Sequence, residues 1–399
     1  SVLNMVFAQI SLWGINSADR AVWFASVAFD ASISEILMCL HSGAALYIPD
    51  TQIIKDSRKF ARYINDSKIT VTTFPPSYLD LLSSEEVRGL RCIITAGEAA
   101  NPVKAIEIVH QGIDYYNAYG PTECAVCTTI HKVNLLDKNV KNLSIGKPIS
   151  NTKVYILDEN LQVLPIGVVG KLYISGAGLS RGYVNKSNLT KEKFISNPFE
   201  DGMRMYDTGD LACWLPDGNI EFAGRKDMQV KIRGYRIELG EIETRVLQYS
   251  KNIKQAVASV KINNGEKVLV AYYVSKTVID KAELRSFLQQ CLPDYMTPNF
   301  FIELKKLPLT PNGKIDRKTL PDISVEATIR REYIAPSTKI EKELAAIWKD
   351  VLGIEKIGVN DNFFELGGHS LMIGQIINRI HKKTGKTISF KGFFENPSI

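Results

Sequence analysis

A serine, a lysine and an aspartate, together with one polar loop, carry the reactive groups of this 399-residue sequence. Asp361-Asn-Phe-Phe-Glu-Leu-Gly-Gly-His-Ser-Leu371 puts a hydroxyl on a glycine-hinged loop just ahead of a helix-period run, Leu371, Ile373, Ile376, Ile377 and Ile380. The two glycines let the backbone turn tightly and keep the approach to Ser370 open. A serine in that place is also a good helix N-cap, so its position alone admits either a modification site or a cap. Asn117-Ala-Tyr-Gly-Pro-Thr-Glu123 gathers an aromatic face, a hydroxyl and a carboxylate around a Gly-Pro turn. Such groups could stack on a base, touch a phosphate and hold Mg²⁺, which prefers carboxylate and phosphate oxygens. A plain turn with a packed tyrosine would use the same residues. Asp30 ends an apolar stretch, Ala25-Ser-Val-Ala-Phe-Asp-Ala-Ser32. A carboxylate buried there needs a cation unless it merely caps a strand end or a helix. Lys314, in Pro311-Asn-Gly-Lys-Ile-Asp-Arg317, offers an ammonium on a proline-bounded turn.

Cys124-Ala-Val-Cys127 has the spacing of a redox or zinc pair, but no second pair or nearby histidine completes a site. The six cysteines, at 39, 92, 124, 127, 213 and 291, form no framework, which points to a reducing cytoplasm. A net charge of +6, with 45% hydrophobic and 23% charged residues, describes an ordinary globular chain. Basic and acidic residues are interleaved, so no nucleic-acid-binding stripe is expected. The longest strongly apolar run, 21–29, is too short to span a bilayer, and no signal-peptide pattern opens the chain. Neither nucleic acid nor membrane is an expected partner.

Several elements must position these groups. Between 20 and 130, strand-like runs such as Thr70-Val-Thr-Thr-Phe74, Arg91-Cys-Ile-Ile-Thr95 and Ile113-Asp-Tyr-Tyr-Asn117 alternate with helical segments. That order predicts α/β layering with ligands at the strand ends. From 145 to 225, closely spaced strands with glycine turns predict a small antiparallel or barrel-like unit. A compact α+β lobe follows from 227, then a polar linker over 321–336. Beyond it, Ile340, Leu344, Ile347, Trp348, Val351 and Leu352 recur at helical spacing.

The motifs occur in one order: Tyr206-Asp-Thr-Gly-Asp-Leu211, Gly224-Arg-Lys-Asp227 running on to Glu243, Leu292-Pro-Asp-Tyr-Met296, the Lys314 segment and the Ser370 loop. From end to end the chain resembles a fragment of a nonribosomal peptide synthetase module, the C-terminal part of an adenylation domain followed by a peptidyl carrier domain. The resemblance implies a multidomain α/β and α+β fold. An adenylate-forming core would span 1–226 and a mobile lobe 227–320. After the linker, a helical-bundle carrier would span 337–399.

The resemblance also implies roles. Tyr119 would stack on adenine with Asn117 nearby, Thr122 would contact the α-phosphate, and Glu123 would ligand Mg²⁺. Asp210 and Arg225 would meet the ribose. Asp227 would be the hinge of the mobile lobe, and Gly234 would lie on its face towards the carrier arm. Lys314 would be the catalytic lysine, and Ser370 would carry 4'-phosphopantetheine, attached by a phosphopantetheinyl transferase. Asp30 would grip the α-ammonium of an amino acid whose carboxylate meets Lys314. Ala31, Ser34, Thr73, Ile94, Ala96, Ala118, Val126 and Cys127 would line the side-chain pocket. That small, apolar lining suits an aromatic guest, and Ser34, where a tryptophan is common in phenylalanine pockets, favours tyrosine over phenylalanine. ATP and Mg²⁺ are the implied cofactors, and condensation or other synthetase domains the implied neighbours.

The family's glycine- and threonine-rich phosphate loop is absent from the sequence, and the last carrier helix is missing. The expectation is therefore a fragment with little or no adenylating activity of its own. Lys171 and Asp207 depart from the family pattern without touching an assigned residue. The competing expectations are a stand-alone acyl-CoA-ligase-like enzyme, against which Asp30 and the carrier motif argue, and a non-catalytic carrier or docking fragment.

Overall fold

A computed structural model describes the chain apart from residues 227–228, 233, 264–265, 309–314, 324–332, 365, 367, 369, 387, 390–391 and 394–395. The chain divides into two compact units, Ser1–Asp227 and Met228–Ile399.

The first unit is built on a seven-stranded sheet. Its strands are β1 (Arg20–Val22), β2 (Ala45–Tyr47), β3 (Val71–Phe74), β4 (Cys92–Ala96), β5 (Asp114–Tyr119), β6 (Thr129–Lys132) and β7 (Lys147–Pro148), in the order β2-β1-β3-β4-β5-β6-β7. The β2 to β5 portion is parallel, and β6 and β7 add antiparallel strands at one edge. Successive side chains of a strand face opposite sides, so each strand feeds two cores. Ile93 and Tyr115 join Phe60, Phe74 and Ile108 on one face. Cys92, Ile94, Tyr116 and Ala118 join Met5, Val6 and Met38 on the other. That second face is covered by two helices, α1 (Val2–Trp13) and α2 (Ala31–Ser42).

A second, antiparallel sheet holds β8 (Thr152–Leu157), β9 (Gly170–Gly176), β10 (Phe194–Ser196), β11 (Arg204–Trp214) and β12 (Ile220–Arg225). It has the closely spaced strands and tight turns expected for 145–225. Lys171, one of the two departures noted above, pairs with Glu159, which also takes Lys226 at 2.7 Å.

The other unit combines a hairpin, β13 (Gln229–Ile232) and β14 (Tyr235–Glu238), with a three-stranded sheet, β15 (Ile253–Asn263), β16 (Glu266–Ser275) and β17 (Phe300–Glu303). Helices Leu239–Tyr249 and Lys281–Cys291 pack on it through Ile242, Val246, Leu284 and Leu288. Further along, helix Lys339–Leu352 starts with a capping box between Thr338 and Glu341 and stops at Gly353, whose φ of 65° needs no Cβ. Its Trp348, Val351 and Leu352 pack with Phe363, Ile373, Ile376, Ile377 and Phe393. Helix Ser370–Thr384 supplies the isoleucines, as the helical spacing predicts.

Candidate active site

Strand alternation gathers the expected pocket residues on one side of the first sheet. Ile94 and Ala96 on β4, Ala118 on β5 and Thr73 on β3 share the parity of the residues that face α1 and α2. Cys127 belongs to that cluster, with Val126 packed against it. Ala125 and Val126 both have positive φ, 57° and 68°. For a β-branched valine this is strained backbone, costing about 1–3 kcal/mol per residue. The loop is held in that shape against Gly120, where an added Cβ would sit 2.3 Å from the Val126 carbonyl oxygen.

β5 extends beyond the run read from sequence, to Tyr119, because β6 pairs antiparallel with Tyr116–Tyr119. Asn117, Ala118 and Tyr119 therefore stand on a strand, not in the loop. The Asn117 amide donates to the Ser144 carbonyl at 2.8 Å, and Thr122 lies exposed in the short 3₁₀ turn Thr122–Cys124.

Asp30 precedes α2 at its N-cap position, half-buried, but its side chain makes no capping bond. Only its backbone carbonyl is used, accepting from the Ile33 N–H at 3.0 Å. The carboxylate is thus not spent on the helix. Ala31 and Ser34 follow on α2, and Ser34 donates to Gln9 Oε1 at 2.7 Å in a buried bond.

The second polar group lies where β11 meets β12, which bring Asp210 and Arg225 into register. Arg225 Nη1 reaches Asp210 Oδ1 at 2.5 Å, and Arg225 Nη2 donates to the Thr208 carbonyl at 3.1 Å. The Tyr119 hydroxyl donates to the other carboxylate oxygen. Burial, then the Asp210 charge, raises the Tyr119 phenol well above its ordinary range, so it stays a donor. Tyr183 donates to Glu123 Oε1 at 2.7 Å and lies 3.2 Å from the Tyr206 hydroxyl. Carboxylates, hydroxyls and a guanidinium of this kind fit a nucleotide with a hard divalent cation. Cys124 and Cys127 are buried, and burial pushes both thiols up, Cys127 to about 12.

Lys314 and Asp227 lie outside the described residues, and Gly234 follows β13 with φ 79°. Ser370 is the first residue of its helix. Upstream of it, a Cβ on Gly368 would meet the Phe363 ring at 2.4 Å, so the loop approaches the apolar cluster closely at this glycine.

Three residues the motifs did not single out belong beside the site: Gln9, Glu35 and Tyr183. A polar residue at the i, i+4, i+8 positions of an apolar stripe, Met5-Gln9-Trp13, was the available signal for Gln9. Glu35 is 2% exposed; its Oε2 accepts from the Phe24 and Ala25 N–H groups at 3.2 and 3.0 Å, while Oε1 has no partner among the described residues. It thereby fixes the segment leading to Asp30. Burial, with no cation acting on it, raises its carboxyl from 4.5 to about 8. The folded chain therefore holds a proton there that the unfolded chain releases above 4.5. Stability falls as pH rises from about 4.5 to 8, by roughly 4–5 kcal/mol at about 1.4 kcal/mol per unit. Glu35→Gln keeps the acceptor and removes the titration, so its urea midpoint should lose that decline. Parallel midpoint-versus-pH curves for both proteins would refute the buried proton.

The sequence family described as AMP-binding enzyme matches residues 1–184, the AMP-binding enzyme C-terminal domain 241–314, and the phosphopantetheine attachment site 342–399. Tyrocidine synthase 2 of Brevibacillus parabrevis is 47% identical over all of this chain, and tyrocidine synthase 1 is 47% identical over 97% of it. Gramicidin S synthase 1 of Brevibacillus brevis is 45% identical over 99%. The chain spans only 11%, 36% and 36% of these three relatives. Among solved structures, holo-PA1221, a protein containing adenylation and PCP domains bound to a vinylsulfonamide inhibitor, superposes with a TM-score of 0.78 at 28% identity. It covers 93% of this chain and 62% of its own. The four-domain nonribosomal peptide synthetase AB3403, bound to AMP and glycine, gives a TM-score of 0.54 at 34% identity over all of this chain and 30% of its own.

Proposed function

We propose that this chain, which belongs to the AMP-binding enzymes of nonribosomal peptide synthetases, activates an α-amino acid with MgATP and loads it onto a phosphopantetheine thiol at Ser370. A carboxylate oxygen of the amino acid attacks the α-phosphorus, and pyrophosphate leaves. A phosphopantetheine arm on Ser370 would supply the thiol that receives the acyl group as a thioester, with AMP as the leaving group. The observation that carries the reading is Asp30, a half-buried carboxylate at the start of α2 that does not cap its helix.

In this reading Asp30 holds the ammonium and Lys314 faces the carboxylate. Tyr119, Asn117, Asp210 and Arg225 receive the adenosine, Thr122 meets the α-phosphate, and Glu123 holds Mg²⁺. Residues 227–320 form a mobile lobe hinged at Asp227, and 337–399 a carrier domain beyond a linker. A phosphopantetheinyl transferase and neighbouring synthetase domains are the partners. The pocket wall of Thr73, Ile94, Ala96, Ala118, Val126 and Cys127 suits an aromatic side chain, and Ser34 favours tyrosine over phenylalanine.

The test is amino-acid-dependent pyrophosphate exchange by the polypeptide carrying this sequence, over all twenty amino acids. Exchange should be highest with tyrosine. Exchange independent of amino acid, or confined to small or charged ones, would overturn the reading. Ser34→Trp replaces the small side chain that donates to Gln9 with a bulky indole and removes the hydroxyl. It should move the Tyr/Phe ratio of kcat/KM towards phenylalanine by roughly 10-fold or more. An unchanged ratio in the same assay would count against Ser34 as a pocket residue.

A further inference from the structure

We propose that Gln9 of α1 sets the hydrogen-bond polarity at the side-chain end of the amino-acid pocket, so that the site takes a substrate whose side chain ends in a donor and refuses one without. The proposal rests on Asp30 and Ser34 lining that pocket, as read above.

Gln9, Ser34 and Cys127 come from α1, α2 and the loop before β6, and are 2%, 7% and 4% exposed. The Cys127 thiol donates to the Thr129 carbonyl at 3.8 Å. The Ser34 hydroxyl donates to Gln9 Oε1 at 2.7 Å in a buried bond. The Ser34 proton is therefore committed to Gln9. What Ser34 offers the pocket is lone pairs alone, a buried acceptor that is costly to leave unmet.

Ser34 lies four residues after Asp30 and on the same face of α2. The rise is ~6 Å along the helix. An amino acid held by its ammonium at Asp30 can lay its side chain along α2 so that a para substituent meets Ser34. A phenol or an aniline donates there. Phenylalanine leaves the acceptor dry, and a methyl ether presents oxygen to oxygen. Apolar pockets discriminate an added hydroxyl by only about 10²-fold, whereas a site built to bond that hydroxyl rejects the analogue lacking it by up to about 10⁴–10⁵-fold. Gln9 acts through Ser34 and is a positioning residue.

The experiment is pyrophosphate exchange by the polypeptide carrying this sequence with tyrosine, p-aminophenylalanine, phenylalanine and O-methyltyrosine, for the wild type, Gln9→Leu and Asp30→Ala. In the wild type, the two donor substrates should exceed the other two at least ~10-fold in kcat/KM. Gln9→Leu releases the Ser34 proton to point elsewhere. The Tyr/Phe ratio should then fall ~10-fold, through the KM for tyrosine, while phenylalanine changes little. The wild-type series judges the proposal even if Gln9→Leu does not fold. A wild-type Tyr/Phe ratio near one, or equal losses for both substrates in Gln9→Leu, overturns the role of Gln9 while an inactive Asp30→Ala leaves the pocket standing. Exchange undiminished by Asp30→Ala overturns the pocket reading and this proposal with it.

Discussion

Ser370→Ala should abolish the phosphopantetheine mass increment on this chain completely, where the wild type, treated with a phosphopantetheinyl transferase and coenzyme A, gains it. The substitution removes the nucleophilic oxygen itself, so no residual modification is expected. The structure also makes the variant interpretable. Ser370 begins helix Ser370–Thr384, and that helix is anchored by Ile373, Ile376, Ile377 and Ile380 in the apolar cluster around Trp348 and Phe363. Losing a serine at a helix start costs about 1 kcal/mol, which a cluster of that size tolerates. Circular dichroism should therefore report a folded variant while mass spectrometry reports an unmodified one. An increment that persists in Ser370→Ala would place the arm on another residue.

Asp30→Ala should lower amino-acid-dependent exchange by about 10²–10³-fold while leaving folding stability within about 0.5 kcal/mol of wild type. The separation of the two effects is the point of the experiment. The Asp30 side chain makes no capping bond, and the backbone bond from the Ile33 N–H to the Asp30 carbonyl survives truncation to alanine. The helix therefore loses nothing it was using. In the proposed reading a substrate ammonium held at Asp30 loses its counter-charge, and removing one partner of a buried pair costs about 3–5 kcal/mol. The loss should appear with every amino acid, because the ammonium is common to all, whereas changes at Ser34 or Gln9 alter only the ranking among side chains. Equal exchange in wild type and Asp30→Ala would show that the ammonium binds elsewhere. A large drop in the urea midpoint would mark Asp30 as a structural residue after all.

Much of the fold was legible because periodicity is written locally. The alternating buried runs at 70–74, 91–95 and 153–158 became β3, β4 and β8 within two residues, and the helical spacing of 340–352 became one amphipathic helix. The ends of elements were less legible. β5 runs on to Tyr119 only because β6, ten residues later, pairs with it, a contact that no local pattern announces.

The site divides in the same way. The chain order of the serine loop, the Tyr119 segment and Asp30 could be read directly, since each is a short run of residue types whose chemistry is intrinsic. Their surroundings could not. Gln9 and Ser34 are 25 residues apart and Tyr119 and Asp210 are 91, and each pair meets only when a helix or a strand packs across the sheet. The linear sequence thus determined which groups were present and which local element each would occupy, because propensity and periodicity act over a few residues. Only the tertiary structure decided that Glu35 is pushed towards the proton-bound form and that the Ser34 hydroxyl donates to Gln9. Desolvation and hydrogen-bond direction belong to the packed neighbourhood, not to the residue.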